Sequence, residues 1–99
     1  MLELRPNCEC CDRDLPAESS DARICSFECT FCLDCAEGVL RNTCPNCGGE
    51  LVRRPVRPAE KRTAFPPSTR RVFKPLEGER REKHAAYLQR YAGIPPAER

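Results

Sequence analysis

Nine cysteines, Cys8, Cys10, Cys11, Cys25, Cys29, Cys32, Cys35, Cys44 and Cys47, are spaced for metal chemistry, and none follows in the remaining half of a 99-residue chain. Setting Cys10 aside, three C-x2-C pairs appear: Cys8/Cys11, Cys32/Cys35 and Cys44/Cys47. Each can form a knuckle, a tight turn that aims two thiolates at one ion, at a Zn–S distance of roughly 2.3 Å. Asn46 and the Gly48-Gly49 pair suit such turns. Counting Cys25/Cys29 as the fourth pair, eight sulfurs make two complete tetrahedral sites, and the expected cofactor is two Zn²⁺ per chain. Closed four-thiolate sites keep no open coordination position, so these ions are expected to be structural and the protein not an enzyme. Outside them no acid, base or nucleophile set stands out. His84, the only histidine, is expected as a partly exposed helix residue, and Glu9, Asp12, Asp14, Glu28 and Asp34 as a solvated acidic surface.

Other cysteine chemistries fit less well. A disulfide framework would leave one of nine thiols unpaired. The start Met1-Leu2-Glu3-Leu4-Arg5-Pro6 carries an early acid and no apolar run, so no secretory leader is visible and a reducing cytoplasm is the expected location. Cys29-x2-Cys32-x2-Cys35 matches the first three ligands of a ferredoxin run, but the fourth cysteine and its proline should follow after three residues and here follow after eight. A redox dithiol belongs near a βαβ pattern that this chain lacks.

The elements that must hold these thiols are small. With ten prolines, no tryptophan and a mean hydropathy of -0.64, the chain has too little apolar side chain for a large core and needs metal to fold. No stretch approaches the roughly 20 apolar residues of a membrane span. Residues 1–50 hold four Arg against ten Asp or Glu, a balance of -6, and residues 51–99 hold thirteen Lys or Arg against five Glu, a balance of +8. Eight thiolates on two Zn²⁺ would take the head to about -10 and the whole chain to about -2, against a formal +2 with neutral thiols. Residues 1–52 are expected to form the metal domain. Residues 53–78, rich in Pro and Arg, read as a solvated extended linker. Residues 79–93 read as one amphipathic helix with His84, Tyr87, Leu88 and Tyr91 along one side, packing on the head or on a second copy, with docking on another protein as the alternative, and residues 94–99 as a disordered end.

The order C-x2-C-x13-C-x3-C-x2-C-x2-C-x8-C-P-x-C resembles the RING finger, including Pro45 just after the seventh ligand. That resemblance implies a small metal-stabilised α+β fold, a RING-like cross-braced treble clef. Cys8, Cys11, Cys32 and Cys35 would share the first zinc, and Cys25, Cys29, Cys44 and Cys47 the second. The rival is the sequential pairing of a LIM domain, which would want about twice the eight residues found between Cys35 and Cys44 and normally a histidine in its second pair. In the cross-braced form residues 36–40 would make a short helix, and Ile24, Phe27, Phe31 and Leu40 would fill the space between the ions.

The stretches LRPNCECCDRDLP, ARICSFECTFCLDCAEGVL and CPNCGGELVRRPVRP resemble a family of small cysteine-rich bacterial proteins of unknown function, over residues 1 to about 62 and not into the tail. The resemblance implies a RING-like treble clef and no activity. Three positions argue against a ubiquitin ligase. Cys10 stands where such ligases commonly place Ile or Leu, Gly48 follows the eighth ligand where they commonly carry Arg or Lys, and there is no Trp. The expectation is a zinc-stabilised module that binds a protein partner. The alternative is nucleic acid held by Arg53, Arg54, Arg57, Lys61, Arg62, Arg70, Arg71 and Lys74, with Phe65 and Phe73 placed for base stacking.

Overall fold

Two stretches of eight residues, 7–14 and 43–50, fold the same way because each carries a C-x2-C turn followed by a residue that accepts left-handed backbone. Asp12 has φ 65° and Gly48 φ 76°. In the first, the amide of Asp12 donates to the Cys8 carbonyl (2.8 Å) and that of Cys8 to the Arg13 carbonyl (2.8 Å). In the second, Gly48 donates to Cys44 (2.8 Å) and Cys44 to Gly49 (2.9 Å). Each knuckle is closed at its base by one antiparallel bridge, Asn7 to Asp14 and Thr43 to Glu50. Aspartate tolerates φ > 0 because its short side chain can bond locally, so the first knuckle does without glycine.

The computed structural model describes all 99 residues. Between the knuckles, β1 (Ala22–Ile24) and β2 (Thr30–Cys32) form an antiparallel hairpin, and β3 (Val52–Arg53) adds to the other edge of β1, giving the order β2-β1-β3. Ile24 stands opposite both Thr30 and Val52. The chain passes from β2 directly into α1 (Leu33–Glu37), whose N-cap is Cys32: its sulfur accepts the Cys35 amide at 3.4 Å. The expected helix at 36–40 therefore lies three residues earlier, started by a thiol cap and stopped at Gly38. A Cβ at Gly38 would stand 2.7 Å from the Asp34 carbonyl oxygen. Phe31 and Leu40 are buried with Leu15, Ala22, Ala36 and Leu51 among the cysteines, and Ile24 is buried as well. Phe27 is not part of this core. It is 70% exposed at the hairpin turn, whose flanking thiols Cys25 and Cys29 face inward and turn the tip outward.

Residues 53–78 are mostly exposed, as the linker reading expects, but part of the stretch lies along the head. Residues 68–76 run beside residues 4–10 as a strap. The Ser68 amide donates to the Leu4 carbonyl (3.0 Å), Asn7 exchanges side-chain bonds with the Val72 backbone (2.8 and 3.3 Å), and the Lys74 amide donates to the Glu9 carbonyl (2.7 Å). A short helix α2 (Ala59–Ala64) precedes the strap. Prolines deny this stretch regular backbone pairing, and arginine forks supply donors instead. Arg54, 1% exposed, donates to the carbonyls of Arg5 (2.8 Å), Leu15 (3.4 Å) and Pro16 (3.0 Å), and Arg57 to those of Leu2 and Phe65 (2.7 Å each).

The helix expected at 79–93 is α3 (Gly78–Arg90), and its apolar side faces the head. His84 is 3% exposed, against the expectation of partial exposure. Its Nε2–H donates to the Leu40 carbonyl (2.9 Å), which lies past the end of α1 and also accepts the Thr43 amide (3.1 Å). Residues 94–99, expected to be disordered, carry a 3-10 turn at Pro96–Glu98, and Arg99 donates to the Gly48 carbonyl at 3.1 Å.

Candidate metal centre

The sulfurs of Cys8, Cys11, Cys32 and Cys35 all lie within 4.8 Å of one another, as do those of Cys25, Cys44 and Cys47. The first knuckle thus meets the start of α1, and the hairpin turn meets the second knuckle. Cys8 and Cys25, which a sequential pairing would join, fall in different clusters. Within the first set, Cys11 Sγ and Cys32 Sγ are 3.8 Å apart across 21 residues of sequence. Cys29 stands outside the 4.8 Å set of its three expected companions, although it lies near enough to shift the pKa values of Cys25 and Cys44. Both clusters could hold a metal ion.

Backbone amides prepare the sulfurs for negative charge. Cys35 N–H points at Cys32 Sγ (3.4 Å), Phe27 N–H at Cys25 Sγ (3.3 Å), Asn46 N–H at Cys44 Sγ (3.4 Å) and Gly49 N–H at Cys47 Sγ (3.4 Å). Such bonds stabilise thiolate over thiol. The thiols of Cys29 and Cys44 donate to Cys25 and, with the Phe27 amide, hold it at about 3 against the burial that opposes ionisation. Cys44, the donor in that pairing, is pushed upward by Cys25 and Cys29 and then by burial. In the first cluster burial opposes ionisation of Cys32, but the Cys35 amide and the thiols of Cys35, Cys11 and Cys8 outweigh it and draw Cys32 down. Burial, and then Cys32, pushes Cys35 up. In each cluster one thiol is drawn down while another is pushed up, and an ion entering either would displace protons.

Cys10 belongs to neither set. It packs half-buried beside the first cluster, raised by burial and tempered by the Cys35 thiol and the Leu76 amide. The acidic residues are not one solvated surface. Glu9 is 1% exposed, and its Oε2 accepts from Arg5 (2.9 Å) and from the Thr30 amide (2.7 Å), locking the first knuckle to β2. Asp12 and Asp14 pair with Arg71, and Asp34 with Arg13. The second knuckle has its own cover on α3. The stacked rings of Tyr87 and Tyr91 (centroids 5.9 Å apart) lie against Gly48, and Arg80 donates to Asn46 Oδ1 (2.7 Å). Arg54 and the strap are the features the sequence reading missed. The one visible signal was the chain of arginines spaced among prolines. No helix is long and apolar enough to cross a membrane.

Over residues 1–57 the chain matches the family described as "Protein of unknown function (DUF1272)". It is 72% identical over 75 residues to "Uncharacterized protein R02474" of Rhizobium meliloti (strain 1021), which covers 76% of this chain and 89% of that protein. The family match ends at residue 57, close to the limit near residue 62 expected for the resemblance, and the similarity to this one relative extends further, over 75 residues. No solved structure matches.

Proposed function

The chain belongs to the DUF1272 family, a membership that carries no activity, and from its two thiol clusters we propose that it is a non-catalytic, zinc-stabilised module that binds a protein partner. The observation that carries this reading is the 3.8 Å separation of Cys11 and Cys32 sulfurs. Two ligands of a tetrahedral ion at a Zn–S distance of roughly 2.3 Å stand about 3.8 Å apart. Cys8, Cys11, Cys32 and Cys35 would hold one zinc, and Cys25, Cys44 and Cys47, with Cys29 as the remaining sulfur, the other, in the alternating order of a RING-like treble clef. The ions would tie together segments that share little apolar surface, and all-thiolate donor sets favour structure over catalysis. A reducing compartment such as the cytoplasm suits nine free thiols.

Protein is favoured over nucleic acid as the partner because several of the tail's arginine side chains are held against this chain, three on backbone carbonyls and one on carboxylates, and are not splayed for phosphates. Arg54, Arg57, Arg62 and Arg71 all donate to groups of this same chain. The ligase reading is weakened further, since the strap lies on the first knuckle and α3 on the second, over the Cys10 and Gly48 positions such an enzyme would present.

The test is metal content with folding. Purified protein should hold two zinc ions per chain, and full chelation should abolish the circular dichroism and amide dispersion of residues 1–52. One ion, visible iron absorbance, or a head that stays folded without metal would each refute the reading.

A further inference from the structure

If the protein is a binding module, its own tail narrows where a partner can sit: both knuckles are covered and the apolar side of α3 is spent on the head. A groove of about 530 Å³ remains between four separated segments. Leu2, Ile24, Val52, Pro96 and Ala97 give it an apolar lining, and Glu28 and Glu50 are its only charged lining residues. Ile24 and Val52 are opposed in the β1–β3 pair, so the floor is one face of the sheet. The C-terminal wall is held in place by Arg99 on the Gly48 carbonyl and stiffened by Pro95 and Pro96. Neither Glu28 nor Glu50 pairs with a cation, whereas Glu3, Glu9, Asp12, Asp14 and Asp34 all do. Glu28 is held at φ 67°, fixed by the hairpin turn at the groove's edge. Next to it in sequence, Phe27 offers the largest exposed apolar side chain of the head.

We propose that this groove is the partner site and that it takes a short extended cationic peptide, with aliphatic side chains set against Ile24 and Val52 and Lys or Arg side chains against Glu28 and Glu50. The charge argument fixes the occupant's sign. The groove has two free carboxylates and no cation, in a head whose formal balance is -6 and which thiolate-bound metal makes more negative. An anionic partner, nucleic acid included, is repelled from it. The proposal rests on the binding-module reading and names that module's site and ligand class.

The experiment uses the full metal-loaded chain and a fluorescein-labelled hexapeptide of alternating Lys and Leu, with the same peptide carrying Glu for Lys as comparison. Anisotropy at low salt should show saturable binding of the Lys/Leu peptide and none of the Glu/Leu peptide. Amide shifts should cluster at Ile24, Ser26, Glu28, Glu50, Val52 and Ala97. The double variant Glu28→Gln/Glu50→Gln should bind about fivefold more weakly, the size expected from two partly exposed charge contacts. Glu18→Gln/Glu37→Gln, which removes the same two negative charges away from the groove, should stay within about twofold of the parent. Absence of Lys/Leu binding, equal binding of the Glu/Leu peptide, or equal losses in the two double variants overturns the proposal. Zinc content measured on the same samples separates this failure from that of the module itself. A chain with two ions and no peptide binding loses the groove alone, whereas a chain without ions loses the underlying reading.

Discussion

Arg71 and Asp12, 59 residues apart in sequence, meet at the tip of the first knuckle: the guanidinium donates to Asp12 Oδ1 at 2.9 Å and to the Asp12 carbonyl at 2.7 Å. Its other nitrogen reaches Asp14 at 2.7 Å. Asp14 and then Asp12 hold the Arg71 guanidinium above its ordinary pKa. All three side chains face solvent, so the contact sets where the strap lies more than how stable the fold is. Arg71→Ala should leave the thermal midpoint nearly unchanged and speed hydrogen exchange at the Val72 and Lys74 amides, whose acceptors are on Asn7 and Glu9. About 1 M salt should produce the same acceleration in the parent chain. Unchanged exchange at both amides would show that the strap is held by its backbone bonds alone.

The metal clusters predict a pattern among cysteine variants. Cys10→Ser should keep two ions, because its sulfur lies outside both sets. Cys8→Ser and Cys25→Ser should each keep one. Cadmium-113 spectra of the substituted protein should couple Cys8 and Cys32 protons to one metal and Cys25 and Cys44 protons to the other. Coupling of Cys8 and Cys25 to a common ion would refute the alternating arrangement.

Arg54 is a buried cation with no carboxylate beside it. Burial lowers its pKa below the ordinary guanidinium value, and three backbone carbonyls compensate for lost water. These carbonyls belong to the N-terminal segment and to the turn after the first knuckle, so one side chain joins both to the end of β3. Arg54→Ala should cost about 3 kcal/mol in urea unfolding of the metal-loaded chain, because several buried acceptors are left without donors. Arg54→Lys should recover only part of this, since an ammonium cannot reproduce the fork. An unfolding midpoint equal to the parent's in Arg54→Ala would show that water replaces the guanidinium.

What the sequence revealed follows from what is local. A C-x2-C turn is closed by bonds within six residues, so the knuckles at Cys8/Cys11 and Cys44/Cys47 are legible as a pattern. Even the left-handed Asp12 could be matched to Gly48 by its place after the second cysteine. The start of α1 was placed late because a thiol cap at Cys32 is not read as a helix signal in the way Ser, Thr or Asp is. His84, Glu9 and Arg54 were misplaced for a different reason. Each is a polar residue whose partner is a backbone carbonyl or amide 21 to 49 positions away, and composition assigns such residues to solvent. The strap was hidden in the same way, since prolines and arginines describe a disordered arm equally well until the carbonyls they serve are in place.

Gly48 gives the sharpest test of how the tail is docked. It has φ 76°, and a Cβ there would stand 2.9 Å from Tyr87 Cδ1 and from Tyr91 Cε2. Gly48→Ala therefore meets two penalties, left-handed backbone costing about 1–2 kcal/mol and displacement of both rings. The knuckle itself should survive, because the Gly48 amide still reaches the Cys44 carbonyl and zinc content should remain two per chain. The helix should not stay seated. Amide exchange through His84 and Tyr87 should rise, and the ring-current shifts that stacked tyrosines impose on residues 47–49 should collapse. Gly48→Asn separates the two causes, since asparagine accepts φ > 0 but still carries a Cβ. If ring contact holds α3 in place, the Asn variant should release the helix as fully as the Ala variant. A helix that stays docked in Gly48→Asn and leaves only in Gly48→Ala would mean that backbone strain, relayed through the knuckle, is the cause and that the tyrosine pair does not seat the helix.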